Sequence, residues 1–246
     1  LEKTLVSKEE LIAQIESQLA GLQSELAAEK QKSQELDKKV SETTETLDKL
    51  RTIDPELLQK YSKVFFLNEH YAPGELSSME KEYLWDEKKE MQIHSLVKSY
   101  LEDMLSDAIR EEEINMYVVS AYRSFDDQSA IKSGYKISYG SGANRFSADQ
   151  GYSEHQLGTT VDLTVKEVGA ALGGFDKTEA YKWLQDNAYE YGFVLSYPKG
   201  NSYYIFEPWH WRFVGKALAA RLHDEERNFY DLSQRQIDEY LIGIFD

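Results

Sequence analysis

Every aromatic residue of this 246-residue chain lies beyond position 50, and that break constrains the fold more than any other feature. The first fifty residues hold a single glycine, Gly21, no proline and no aromatic side chain, and are rich in Glu, Lys, Gln, Ser and Leu. Such a stretch lacks the bulk to build a packed core, but it can form a helix. Alternating steps of three and four from Leu5 pass through Ile12, Ile15, Leu19, Leu22, Leu26, Leu36, Val40, Leu47 and Leu50. An apolar seam therefore recurs over about seven heptads, weakened where Glu29 and Ser33 fall on it. Residues 1–52 read as a coiled-coil spacer or oligomerisation helix, pairing in a homodimer or with another partner helix. At 1.5 Å rise per residue it would span roughly 75 Å.

Pro55 in "TIDPELL" marks the boundary, because the residue before a proline is pushed out of helical geometry and proline favours a new first turn. Residues 53–246 then carry both periodicities. "EYLWDEKKEMQIHSLVKSYLEDMLSDAIREEE" places Ile93, Val97, Tyr100, Leu101, Met104, Leu105 and Ile109 at helical spacing and predicts one long amphipathic helix. "INMYVVSAYRS" predicts a strand ending at Arg123. "TTVDLTV" alternates, with Val161, Leu163 and Val165 on one face and Thr160, Asp162 and Thr164 on the other. "DKTEAYKWLQDNAYEYG" predicts a helix closed by Gly192. "FVLSY", "YYIFE" and "WHWRFV" predict three short strands, and two helices close the chain near 214–223 and 233–243, the second with Ser233 as N-cap. Helices before, between and after short antiparallel strands make an α+β fold, a small antiparallel sheet with flanking helices.

The charge balance excludes several function classes. Forty-four acidic against 28 basic residues leave a formal net charge of −16, which nucleic-acid phosphates and anionic lipid surfaces repel. No apolar run approaches 18 residues, so any membrane attachment is expected from an anchor outside this chain. The chain begins at Leu1 with no signal-peptide pattern, so an upstream segment is expected. With no cysteine, thiolate metal sites, disulfides and cysteine nucleophiles are ruled out.

What chemistry remains centres on histidine. His70, His94 and His223 sit in a loop, an amphipathic helix and a charged helix end, and read as structural. His155 lies in the glycine-flanked turn of "GYSEHQLGTTVD", with Asp162 on the polar face of the following strand. In "FEPWHWRFVG", alternation places His210 and Arg212 on one face, and Trp209, Trp211 and Phe213 on the other. Two histidines and a carboxylate on rigid neighbouring strands make a three-ligand zinc site with the fourth position open to water. The same spacing is met by two hydrogen-bonded core histidines and an ordinary strand aspartate. Glu207, three residues before His210 with Pro208 between them, is placed to carry protons beside a metal without binding it. Arg123 suits a carboxylate or an oxyanion, though a strand-terminal arginine also serves as a surface ion pair.

Taken together, "SAYRSFDDQ", "GYSEHQLGTTVD", "WLQDNAYEYGFVLSYP" and "EPWHWRFVG" resemble, in order and spacing, the VanY-type D-alanyl-D-alanine carboxypeptidases, zinc peptidases of the hedgehog/DD-peptidase fold that trim bacterial peptidoglycan stem peptides. The resemblance spans roughly residues 60–243. It implies that His155, Asp162 and His210 bind one catalytic Zn2+, that Glu207 is the general base for attack by water, and that Arg123 polarises the scissile carbonyl or holds the substrate carboxylate. Gln128 and Ser153 look like hydrogen-bonding positions around the substrate, and Trp209 and Trp211 match the family's aromatic wall. Two departures stand out: Thr160 where the family has a small alanine, and Ser196 where it has arginine.

The implied activity is release of C-terminal D-alanine from a stem peptide outside the cytoplasm, with a D,D-carboxypeptidase favoured. An L,D-carboxypeptidase acting on tetrapeptide stems, a peptidoglycan endopeptidase, and a coiled-coil adaptor that regulates wall enzymes are the alternatives. The complete His155, Asp162, His210 and Glu207 set argues against the adaptor, which has no use for a general base.

Overall fold

The structure is a computed structural model that describes residues 71–139, 148–201, 204–241 and 244–245, together with 19, 21–23, 25–41 and 44. The heptad positions from Leu5 to Ile15 and from Thr43 to Leu50, and His70, lie outside the described residues. The chain divides into two units, Leu1–Ile53 and Asp54–Asp246. In the first, residues 25–41 are helical. Leu19, Leu22, Leu26, Leu36 and Val40 are each more than half exposed.

The second unit has the α+β architecture that the alternation of periodicities predicts. Strands β1 (Leu76–Ser78) and β2 (Gln92–His94) form a two-stranded antiparallel sheet. Helix α1 (Ser95–Glu112) follows at once. Strands β3 (Tyr117–Ser120), β4 (Thr160–Thr164), β5 (Phe193–Leu195) and β6 (His210–Phe213) make a four-stranded antiparallel sheet in the order β3-β4-β6-β5. Helix α2 (Phe125–Tyr139) connects β3 towards β4, α3 (Glu179–Asn187) precedes β5, and α4 (Lys216–Asp224) and α5 (Gln234–Leu241) close the unit.

Helices α1, α3 and α4 and one face of the four-stranded sheet share the main core. Helix α1 contributes Val97, Leu101, Met104, Leu105 and Ala108, the sheet Val118, Val161, Leu163, Trp211 and Phe213, and α3 and α4 add Trp183, Leu184, Leu218 and Leu222. Burying each large side chain contributes roughly 1.5–3 kcal/mol. All five residues of β4 are buried: Val161 and Leu163 face this core, while Thr160, Asp162 and Thr164 line the other side of the sheet.

Three expectations need correction. The long amphipathic helix starts at Ser95, not near residue 82. Ile93 belongs to β2, and His94 caps α1 by accepting a hydrogen bond at Nδ1 from the Leu96 amide at 3.3 Å. The apolar spacing runs unbroken from strand into helix, so periodicity alone could not find the join. Strand β3 ends at Ser120, after a register shift between Val118 and Ser120, so Arg123 lies in the loop beyond it. No strand forms over residues 204–207, where the chain is instead fastened by the Glu207 amide donating to the Tyr197 carbonyl at 3.1 Å. Gly192 closes the turn after α3 with φ 85°, and Gln236 Oε1 accepts from the Ser233 amide at the start of α5.

Candidate active site

The site begins with strand register. Asp162 of β4 stands directly across from His210 of β6, and Thr160 across from Arg212. Directly opposed residues of an antiparallel pair bring their Cβ atoms to about 5 Å, so the sheet itself delivers a carboxylate to an imidazole: His210 Nδ1 is 3.1 Å from Asp162 Oδ1. His155 comes from outside the sheet, on the short 3-10 turn Glu154–Leu157 that leads into β4. The turn ends at Gly158, with φ 74°, where a Cβ would sit 3.0 Å from Pro73 Cγ and 3.4 Å from the His94 amide nitrogen. Glycine is required there both by the left-handed backbone and by the close approach.

The turn is stitched to the loop after β3 at two points. His155 Nδ1 donates to the Ala121 carbonyl at 2.7 Å, and the Arg123 amide donates to the His155 carbonyl at 3.2 Å. With Nδ1 so engaged, His155 Nε2 is turned inward, 3.2 Å from Asp162 Oδ2, buried and aligned for no hydrogen bond. One donor atom from each of His155, Asp162 and His210 falls within 4.8 Å of the others, and all three residues are buried. A buried imidazole nitrogen with no partner, beside a carboxylate and a second imidazole, fits a divalent metal with nitrogen and oxygen ligands.

Electrostatics around the triad are strongly perturbed. Burial and the nearby Arg123 charge lower His155 to about 4, which leaves it neutral at pH 7. Burial pushes the Asp162 carboxyl up, but the His155 and His210 rings hold it well below the usual carboxylate range. His210, between the Asp162 and Glu154 carboxylates, is raised to about 10 despite its burial.

Glu207 is carried in by a tight turn: the His210 amide donates to the Glu207 carbonyl at 3.1 Å, with Pro208 inside the turn. Its Oε2 ends 3.6 Å from His210 Nδ1. Burial pushes the Glu207 carboxyl up to about 7, against the pull of His210 and Arg123. A carboxyl so poised can take and return a proton near neutral pH. Arg123 faces the same space, with a buried Nε that meets no hydrogen-bond acceptor.

The remaining sequence-predicted residues are placed less directly. Gln128, on α2, donates from Nε2 to the Ala148 carbonyl at 2.8 Å and so ties that helix to the segment entering the His155 turn. Ser153 is buried and begins the turn, its carbonyl accepting from the Gln156 amide. Trp211 lies in the core on the face opposite His210, with Nε1 donating to the Pro208 carbonyl at 3.0 Å, and Trp209 packs partly buried against the same core. The aromatic rings beside the triad are instead tyrosines: Tyr197 stacks on His210 at 4.6 Å between centroids, and Tyr204 packs on Tyr197 at 4.5 Å. Burial and the Glu207 carboxylate raise the Tyr204 hydroxyl.

Sequence reasoning missed Glu154. Wedged between Ser153 and His155 in the chain, it reads as a surface charge, yet it is buried and its carboxylate accepts from His210 Nε2 at 2.9 Å, from Arg212 Nη1 at 2.9 Å and from the Tyr230 hydroxyl. The alternation that placed His210 and Arg212 on one face held the available clue: a buried arginine requires an acid.

Comparison with known proteins bears on this geometry. The family model described as VanY, D-alanyl-D-alanine carboxypeptidase, matches residues 90–216, just over half of the chain. A putative carboxypeptidase, YodJ, of Bacillus subtilis (strain 168) is 36% identical over 188 residues, covering 73% of this chain and 68% of that protein. Among solved structures, the LdcB LD-carboxypeptidase superposes with a TM-score of 0.61 at 33% identity, covering 73% of this chain and 83% of that one. A mutant of the vancomycin-resistance D,D-pentapeptidase VanY from a VanB-type cassette, in complex with Zn(II), gives a TM-score of 0.55 at 25% identity, covering 74% and 99%. On the family match and the relatives alike, the chain is a metallopeptidase and belongs to the VanY D-alanyl-D-alanine carboxypeptidase family.

Proposed function

We propose that this protein removes the C-terminal D-alanine from peptidoglycan stem peptides, using one zinc ion held by His155 Nε2, the Asp162 carboxylate and His210 Nδ1. The observation that carries the reading is the buried triad with Glu207 3.6 Å from His210 and outside the ligand set. Zinc bound there supplies Lewis acidity towards a carbonyl and towards water. Glu207 accepts the proton of the attacking water and returns it to the amine of the departing D-alanine. Arg123, its Nε buried and unengaged, supplies a guanidinium for the substrate's carbonyl oxygen or terminal carboxylate. Tyr197 and Tyr204 wall the site, while Gln128 and Ser153 support the loops that frame it.

The family supports a D,D activity on pentapeptide stems. The likeness to the LdcB LD-carboxypeptidase favours a second reading, an L,D activity on tetrapeptide stems. Mass spectrometry of both synthetic peptides after incubation with the zinc-loaded protein decides between them. Loss of one alanine from the pentapeptide, abolished by a chelator, is the expected result. Loss from the tetrapeptide alone selects the L,D reading. Loss from neither, with zinc bound, overturns carboxypeptidase action and leaves an endopeptidase acting on cross-linked wall. The substrate places this work outside the cytoplasm, and no helix among the described residues is long and apolar enough to cross a membrane.

Residues 1–52 act, in this reading, as a rod for the catalytic part, residues 53–246, and the rod's partner is a second copy. With Leu19, Leu26 and Val40 at a positions, Leu22 and Leu36 at d, the flanking positions of a parallel pair set Glu25 against Lys30 of the other copy and Lys32 against Asp37, both attractive. Sedimentation of the full chain against a 1–52 deletion tests this: a monomeric full chain discards the dimer.

A further inference from the structure

Beyond the triad and its proton carrier lies a second buried charge cluster that the proposed reaction does not use. Glu154 and Arg212 are both buried, and Arg212 is the largest fully buried side chain among the described residues. The Glu154 carboxylate takes one donor from each of three sources: Oε2 faces His210 Nε2, and Oε1 faces both Arg212 Nη1 and the Tyr230 hydroxyl. The Arg212 guanidinium in turn lies 4.5 Å from the centre of the Phe229 ring. Phe229 and Tyr230 belong to a single short 3-10 turn, Phe229–Asp231, that is locked by a reciprocal capping box between Asn228 and Asp231. The cluster thus joins the His155 turn, strand β6 and the segment between α4 and α5.

Neutralising Arg212 would require only one of the two carboxylate oxygens. The other is committed to the ring nitrogen of His210 that points away from Asp162. A ring with Nε2–H given to a carboxylate must present Nδ1 to the triad, in one tautomer and one orientation. We infer that Glu154 is a positioning residue for the metal centre: it fixes His210 with Nδ1 facing Asp162 and His155, and the Arg212 and Tyr230 donors hold Glu154 in place to do so. The inference rests on the zinc reading above, since it assigns to Glu154 an effect on metal affinity.

The test must separate positioning from mere charge balance. Glu154→Gln alone takes a carboxylate partner from the buried Arg212 and risks unfolding. The Glu154→Leu/Arg212→Met double variant removes both members of the buried ion pair together with the acceptor that faces His210 Nε2. Zinc affinity is measured by competition against a chromophoric chelator for the wild type, for the double variant and for Arg212→Met alone. If Glu154 positions His210, the double variant folds yet binds zinc about 10–100-fold more weakly than the wild type. Arg212→Met, which retains the carboxylate, keeps affinity closer to the wild type wherever it folds. A folded double variant whose affinity stays within about threefold of the wild type would show that Glu154 serves only to balance Arg212, and would overturn the proposal. A wild type that binds no zinc would instead overturn the metal reading itself, so the two failures are distinguishable. A second readout is the imidazole Nε2–H proton resonance of His210 in the zinc-loaded protein. A charged acceptor holds it far downfield, and the double variant should move it upfield. An unmoved resonance counts against the assignment.

Discussion

Two glycines with nearly the same backbone allow the packing around β6 to be weighed by itself. Gly192 and Gly174 have φ of 85° and 90°, so alanine at either position incurs the cost of a left-handed L-residue, about 1–2 kcal/mol. They differ in what a Cβ would meet. At Gly174 nothing lies within 4 Å, whereas at Gly192 the new atom would fall 2.6 Å from Phe213 Cε2 and 3.1 Å from the Gly215 and Lys216 backbone. Phe213 has little room to retreat: it is fully buried and packs on Tyr100 at 4.9 Å and edge-on to Phe193 at 5.4 Å between ring centroids. Forcing it aside adds an overpacking cost of about 1–3 kcal/mol. Gly192→Ala is therefore expected to lose roughly 2–5 kcal/mol and Gly174→Ala roughly 1–2 kcal/mol. The entropy that alanine removes from the unfolded chain is common to both and cancels in the comparison. Urea unfolding monitored by tryptophan fluorescence, fitted with a shared m-value, measures the difference. Equal losses at the two positions would refute the claim that the close approach to Phe213, and not backbone conformation alone, demands glycine at 192.

The other expectations concern the site. Glu207→Gln removes a proton carrier and no ligand, so alanine release should fall by about 10²–10⁴-fold while zinc titration shows unchanged stoichiometry; near-normal turnover would remove Glu207 from the mechanism. Zinc at about 100 times its dissociation constant should stabilise the wild type by about 2.7 kcal/mol, and Asp162→Ala should abolish that shift in differential scanning fluorimetry. A zinc-dependent shift that survives Asp162→Ala would place the ion elsewhere. Thr160 Oγ1 is buried with no hydrogen-bond partner, so Thr160→Val, which keeps the shape and removes the hydroxyl, should raise stability by about 1 kcal/mol; a loss measured by chemical denaturation would mean that the hydroxyl is satisfied in solution.

Much of the site was readable because its residues sit on regular structure. Alternation in "TTVDLTV" and "WHWRFV" put Asp162 and His210 on polar strand faces, and a proline turn brought Glu207 back beside His210. Their joint orientation depended on strand register, which no single strand reveals. The tyrosine wall was hidden for a related reason. Tyr197, Tyr204 and Tyr230 come from separate segments, and only the tertiary fold stacks them by His210, while the more conspicuous Trp211 follows its strand face into the core. Glu154 was hidden by its neighbours, since a glutamate between a serine and a histidine in a turn carries no sign of burial. The start of α1 was lost because β2 hands its apolar phase directly to the helix.

The cross-strand pairing of Asp162 with His210 also makes the centre a gauge of its own assembly. A slip of one residue between β4 and β6 would send one of the two side chains to the core face, and the donor set would disappear with no change in composition or strand content. Molecules paired in the wrong register would then be blind to metal. In a refolded preparation, the fraction that takes up zinc would count the molecules whose sheet closed correctly, a distinction that circular dichroism could not make.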